Sequence, residues 1–346
     1  MMRMLGFLVA SALVFSSSLQ GQETPAKGKA YALLVGVGAY QDSQIKPRPN
    51  AEKDAVAISK VLSDHGHLGI GKDDLRLVIS NSAKVQGAIE ATKANIVKEL
   101  NWIAKAAGPQ DLVFLVMIGS GGPLGDTGDR RGYFASDSTF AGRNETAVSA
   151  TEVGEILKNC KADRFVSFVD VNFNGFTAKG RGVAEATLGQ NPYKEFLGDD
   201  GTDEHGPASG RVVYLSNLGL SPSLDLPDHG VFGKVIAEGL DGKADREGYE
   251  PDGVIDIDEM TDYLRKTLPE ICRKEGKTKT EKEQMPIVLG GLRSHFILTQ
   301  NPPALAKSKA RAEAFSKLVA DKKIPAKFKD EAVSYTHLRA HETRED

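Results

Sequence analysis

The sequence predicts an α/β fold, a mostly parallel central sheet with helices packed on both faces. Short, wholly apolar runs recur along the chain between Gly, Pro and polar residues, as strands buried on both faces require. Between them lie stretches with apolar residues spaced three, four and seven apart, the period of a helix with one buried side. The two kinds of segment alternate, which is the pattern of crossover units.

The elements follow in order. Residues 1–21 carry Arg3, an apolar run over 4–15, and then Ser16, Ser17 and Ser18. That is the layout of a secretory signal peptide, and the run is too short to span a bilayer as a helix. Export to the periplasm or the extracellular space is expected, with no membrane contact after cleavage. A polar linker, 22–29, leads to the first strand at 31–37. Pro49-Asn50 opens a helix with Asn50 as its N-cap and Ala55, Ile58 and Leu62 on one face.

A second strand is predicted at 75–79 and a helix at 91–107, with Ile96, Leu100 and Ile103 inward. The third and most apolar strand, 112–118, runs into Gly119-Ser120-Gly121-Gly122, which reads as a flexible loop. Ser149 and Glu152 form a capping box before a helix that buries Val153, Ile156, Leu157 and Cys160. Residues 165–171 make the fourth strand and 211–215 the fifth. A helix at 231–240 and another with Met260, Leu264 and Leu268 on one face precede short strands at 287–289 and 296–298.

Residues 301–332 are rich in Ala and Lys with little periodicity, a linker or the start of a further region. Residues 333–346 look like one reading frame of a sequencing adapter. They are set aside with His337 and His341, and the natural chain is expected to continue past about Ala332.

Composition narrows the function. The 346 residues, 40% hydrophobic and 26% charged, suit a soluble chain with one large core. A net charge of −3 gives no basic footprint, so nucleic acid is not an expected partner. Cys160 and Cys272, the two cysteines, are too few for a disulfide framework and lack zinc-site spacing. In open α/β sheets ligands bind beyond the carboxyl ends of the strands, which directs attention to 170–175. The residue at its centre, Asn172, is neither a nucleophile nor a general base.

Several stretches then fall into one frame: Y-A-L-L-V-G-V at Tyr31, N-A-E-K-D-A at Asn50, A-T-K-A-N-I at Ala91 and D-L-V-F-L-V at Asp111. G-Y-F-A-S-D-S at Gly132, F-V-D-V-N-F-N-G at Phe168, H-G-V-F-G-K-V-I-A-E-G-L at His229 and D-G-V-I-D-I-D-E-M at Asp252 continue it. In this order and spacing, residues 30–300 resemble the caspase-like cysteine peptidases (peptidase C14) of the metacaspase type. The resemblance implies a three-layer α/β/α sandwich.

In that family a His follows the third strand in S-G-H-G, and a Cys follows the fourth in D-x-C-H-S-G. The thiolate attacks the scissile carbonyl while backbone N–H groups hold the oxyanion. Here I-G-S-G-G puts Ser120 at the His position and D-V-N-F-N-G puts Asn172 at the Cys position. The two lie 52 residues apart, in keeping with the separation of about 50 in caspases. Each replacement needs more than one base change, so the loss of both is read as real.

Ser120 lacks the first Gly of a nucleophile elbow, and no base is placed beside it. His65, His67, His205, His229 and His295 lie in other segments. Gly121 and the Asn172 backbone would keep an oxyanion-hole shape. The resemblance further implies that Asp170 and Asp54 line a pocket for an Arg or Lys side chain, held by charge-assisted hydrogen bonds. Taken alone, they read as a strand-end carboxylate and a helix-start acid favoured by the dipole.

No cofactor is expected, with calcium left open. Setting Asp252-Gly253 at loop positions 5 and 6 puts Gly248 at position 1, Glu250 at 3 and Glu259 at 12. A Gly at the first ligand position breaks the EF-hand pattern. Asp245 in a longer loop is one alternative, and Asp256 as a helix cap is another. The expectation is an exported caspase-like protein that binds or regulates, with a basic peptide or protein segment as partner. A hydrolase with relocated catalytic groups and a structural domain of a longer protein remain alternatives.

Overall fold

The computed structural model describes residues 28–125, 127–128, 130–177, 193–197, 210–245, 251–290 and 295–321. The signal-peptide segment, linker residues 22–27, His205, Gly248, Glu250 and the tail from 322 lie outside them.

Among the described residues a nine-stranded sheet forms the middle layer. Its parallel centre is β1 (Ala30–Gly36), β2 (Leu75–Ile79), β4 (Leu112–Leu124), β7 (Arg164–Asn172) and β8 (Gly210–Leu215). The short β3 (Ile89–Glu90) extends it beside β2, and β10 (Ile287–Gly290) closes the other edge antiparallel to β8. The order is β10-β8-β7-β4-β1-β2-β3. The chain passes from β1 to β2 on one side and returns through β4 on the other, so the switch point lies between β1 and β4.

Alternation along the strands divides the core in two. Ala32 and Leu34 of β1, Phe114 and Val116 of β4 and Phe168 of β7 face one side. They pack there against α1 (Asn50–Ser63), α6 (Val231–Glu238) and α7 (Ile257–Glu275). Leu33, Val35, Leu115 and Val169 face the other side, against α2 (Lys93–Ala106) and α4 (Ala150–Leu157). Ile118 pairs with Asp170 and Ser120 with Asn172 across β4 and β7. The period of two therefore puts these four side chains on the α1 side.

The predicted helix faces are buried: Ala55, Ile58 and Leu62 in α1, Ile96, Leu100 and Ile103 in α2, Met260, Leu264 and Leu268 in α7. Cys160 and Cys272 are buried free thiols in the two opposite cores. Ser149 caps α4 by accepting the Glu152 N–H.

Two sequence expectations give way. Asn50 is the first helical residue of α1, with Pro49 at the cap position. Its amide reaches across to the Leu226 carbonyl, 2.8 Å away, instead of turning back on its own helix. The 119–122 stretch is no loop. Strand β4 continues through it to Leu124 and pairs antiparallel with β5 (Arg130–Tyr133), which pairs with β6 (Val148–Ser149). The small residues let β5 and the rings of Phe134 and Phe173 close in, and the ladder satisfies their backbone groups.

Residues 302–320, expected as a linker or the start of a further region, form a helix, α9 (Pro302–Ala320). Contacts hold it rather than periodicity. Ala304 and Ser308 are buried, and Arg311 donates to the Pro251 carbonyl. Shorter elements complete the fold: α3 (Arg143–Thr146), α5 (Lys194–Leu197), α8 (Lys279–Lys282), and a two-stranded sheet of β9 (Val254–Asp256) with β11 (Ile297–Gln300). Among the described residues no helix is long and apolar enough to cross a membrane.

Candidate functional site

The carboxyl ends of β1, β4 and β7 meet the segment that leaves β1 and runs to α1. Ser120 and Asn172 stand opposite each other in register, and both are buried. The Ser120 hydroxyl donates to the Lys46 carbonyl at 2.9 Å, and its N–H donates to the Tyr40 hydroxyl at 2.7 Å. Tyr40 in turn donates to the Val37 carbonyl, and burial pushes its phenol up to about 12. Gly175 covers the serine so closely that a Cβ there would lie 2.6 Å from the Ser120 oxygen.

The Asn172 side-chain oxygen accepts the Asn174 N–H, closing a tight turn. The N–H groups of Phe173 and Gly175 go to the carbonyls of Gly219 and Asn172. Gly121 lies in the β4–β5 ladder opposite Tyr133. A serine whose proton is committed to a carbonyl, with no base beside it among the described residues, is not activated for attack.

The acid expected to receive a basic side chain already holds one. Asp170, 1% exposed, meets the Arg48 guanidinium at two points, 3.2 and 2.9 Å. Arg48 also donates to the carbonyls of Asp170 and Gly119. The hydroxyls of Ser216 and Ser223 donate to the same carboxylate at 2.6 and 2.5 Å. Burial by itself would raise the Asp170 carboxyl, but the Arg48 charge and these donors outweigh it and hold it below the usual range. Burial likewise opposes the Arg48 charge, and Asp170 reverses that, leaving the guanidinium firmly protonated.

Asp54 is separate from this pair. Its carboxyl shares a hydrogen bond with the His229 ring nitrogen Nδ1 at 2.9 Å and accepts the Gly230 N–H at 3.0 Å. The H-G-x-x-G start of α6 is shaped for it, since a Cβ on Gly233 would stand 2.3 Å from the carboxyl carbon. Burial pushes Asp54 up to about 7, opposed by the His229 hydrogen bond. His229 is partly exposed and looks into a groove of about 1020 Å³, lined also by Pro47, Glu52, Lys53 and Asn81.

The caspase-domain profile matches residues 29–207, over half of the chain. The chain belongs to the caspase-domain family. No curated protein matches it. Among solved structures it is similar to protein GSU0716 from Geobacter sulfurreducens, at 15% identity and a TM-score of 0.46 over 76% of this chain and 93% of that one. It is also similar to caspase-1 from Spodoptera frugiperda, at 14% identity and a TM-score of 0.45 over 78% of this chain and 90% of that one.

Within this caspase domain the structure brings Ser120, Asn172 and Asp170 to one corner and sets Asp54 beside it with His229. Sequence reasoning did not find Arg48, Tyr40, the serines at 216 and 223, or His229 as the Asp54 partner. Arg48 had a signal, a cation between two prolines just ahead of the N-A-E-K-D-A helix start.

The described acids weighed for calcium serve the backbone. Asp245 accepts N–H groups from Asp252 and Gly253 and the Asn301 amide. Asp252 accepts the Val254 N–H, and Asp256 caps α7 in a reciprocal box with Glu259. Among the described residues no group of three His, Cys, Asp or Glu is placed to hold a metal ion.

Proposed function

We propose that this caspase-domain protein is an exported binding or regulatory module that recognises basic segments and does not cleave them. The observation that carries the reading is the bonding of Ser120 and Asn172. One has its hydroxyl on the Lys46 carbonyl, and the other has its amide in a local turn. Neither presents a nucleophile or a base to a peptide. Export is supported by the layout of residues 1–21 in the sequence. Recognition of basic groups is supported by the buried carboxylate of Asp170, ringed by donors and fitted to a guanidinium fork.

The test is an assay of the purified domain on reporter peptides ending in Arg or Lys, with and without calcium. No hydrolysis is expected, and turnover abolished by Ser120→Ala would overturn the reading.

One observation favours a second reading, a hydrolase with relocated groups. The Asp54-held imidazole of His229 is oriented as a general base would be. The described residues lining its groove include no Ser, Thr or Cys, so it would have to activate water. Hydrolysis lost in Asp54→Asn but kept in Ser120→Ala would establish it.

A further inference from the structure

Residues 44–48 are fastened over the carboxyl ends of β4 and β7 by a set of contacts that resembles a bound peptide. Ile45 bridges Phe176 in antiparallel fashion. On either side, the Lys46 N–H donates to the Gly175 carbonyl at 2.9 Å and the Thr177 N–H donates to the Gln44 carbonyl at 2.8 Å. The Lys46 carbonyl takes the Ser120 hydroxyl, and Arg48 delivers its guanidinium to Asp170. Addition of an extended segment to a free backbone edge, with side chains seated in pockets, is a general mode of peptide recognition. Pro47 and Pro49 restrict the backbone on both sides of Arg48, which lowers the entropy lost on seating it.

We infer that residues 44–48 are the resident ligand of the Ser120–Asp170 corner, with Arg48 occupying in cis the seat that an external basic side chain would need. The inference rests on the proposed reading of the Asp170 corner as a recognition site for basic groups. It adds that the site is self-occupied, so an outside segment binds only in the fraction of molecules whose strap has lifted. Apparent affinity falls in proportion to that fraction. A tethered ligand this close competes at a high effective concentration.

The experiment compares wild type, Arg48→Ala and Arg48→Ala/Asp170→Asn, with benzamidine as the probe, by calorimetry and thermal melting. Arg48→Ala is expected to bind benzamidine on the order of 100-fold more tightly than wild type, and the double variant to lose that gain. Equal binding by wild type and Arg48→Ala, or a gain that survives Asp170→Asn, would overturn the inference. If Arg48→Ala does not fold alone, refolding with benzamidine decides. A recovered melting transition supports the seat, and none rejects it. Hydrolysis of Arg reporters by wild type would count against the non-peptidase reading, whatever benzamidine does.

Discussion

Arg48 and Asp170 form a two-point ion pair across 122 residues of sequence, with both side chains closed to solvent. Removing one partner of such a pair leaves the other charge buried and uncompensated, which costs about 3–5 kcal/mol. Asp170→Asn and Arg48→Ala should each lower unfolding stability by that order, and the double variant should lose much less than the sum. Urea unfolding of the four proteins measures the coupling, and strictly additive losses would show that the two do not act as a pair.

The same pair sets a pH dependence. The Asp170 carboxyl is lower in the folded than in the unfolded chain, so its stabilisation is present above the ordinary aspartate range, about 3.9. It is lost as pH falls through the folded value. Asp170→Asn should therefore flatten the acid limb of stability against pH, as followed by far-UV circular dichroism in a pH series.

Asp54 has the opposite sign. Burial raises it to about 7 in the fold, so between about pH 4 and pH 7 the folded protein binds protons the unfolded chain has released. Its contribution is fully present below the unfolded value and declines as pH rises through 7. Asp54→Asn should remove this decline. Unfolding curves at pH 5 and pH 8 should differ less in the variant than in wild type after correction for the other groups.

The strands and helix faces were legible because burial on both sides writes itself into composition and period: Phe114 to Val116 and Ala55, Ile58 and Leu62 left no other arrangement. The Gly119 to Gly122 stretch was misjudged because glycines signal both flexibility and close packing, and only β5 in place distinguishes them. Asp170 was found through its strand end. Its partner was not, because Arg48 reaches it across the fold from an irregular segment that no periodicity marks. Helix α9 carried no periodic signal for a similar reason, since it is held by Asn301 and the 251–253 backbone rather than by an apolar stripe.

Glu259, third residue of α7, is buried beside Asp256, and burial followed by that neighbouring charge pushes it up to about 9. It therefore stays protonated in the fold at neutral pH while the unfolded chain ionises. Its contribution is complete below about 4.5 and lost as pH rises through 9. Glutamine keeps the carbonyl oxygen that accepts the Asp256 N–H and cannot ionise. Glu259→Gln should raise stability at pH 7 by roughly 1–3 kcal/mol and leave it unchanged near pH 4. A loss at pH 7 would show that the carboxylate itself is needed there.

Restoring the family dyad by Ser120→His with Asn172→Cys is the direct test of how closed the corner is. Ser120 is 2% exposed, with Gly175 and the Lys46 carbonyl already in contact with its hydroxyl. An imidazole in that volume forces the strap or the 172–175 turn to move, and overpacking of this kind costs about 1–3 kcal/mol. The double variant should be less stable and should not cleave Arg reporters while Arg48 remains seated on Asp170. Adding Arg48→Ala frees the seat for a substrate side chain, so any cleavage should emerge in the triple variant and not in the double. Cleavage by the double variant at the rate of the triple would show that residues 44–48 do not close the cleft.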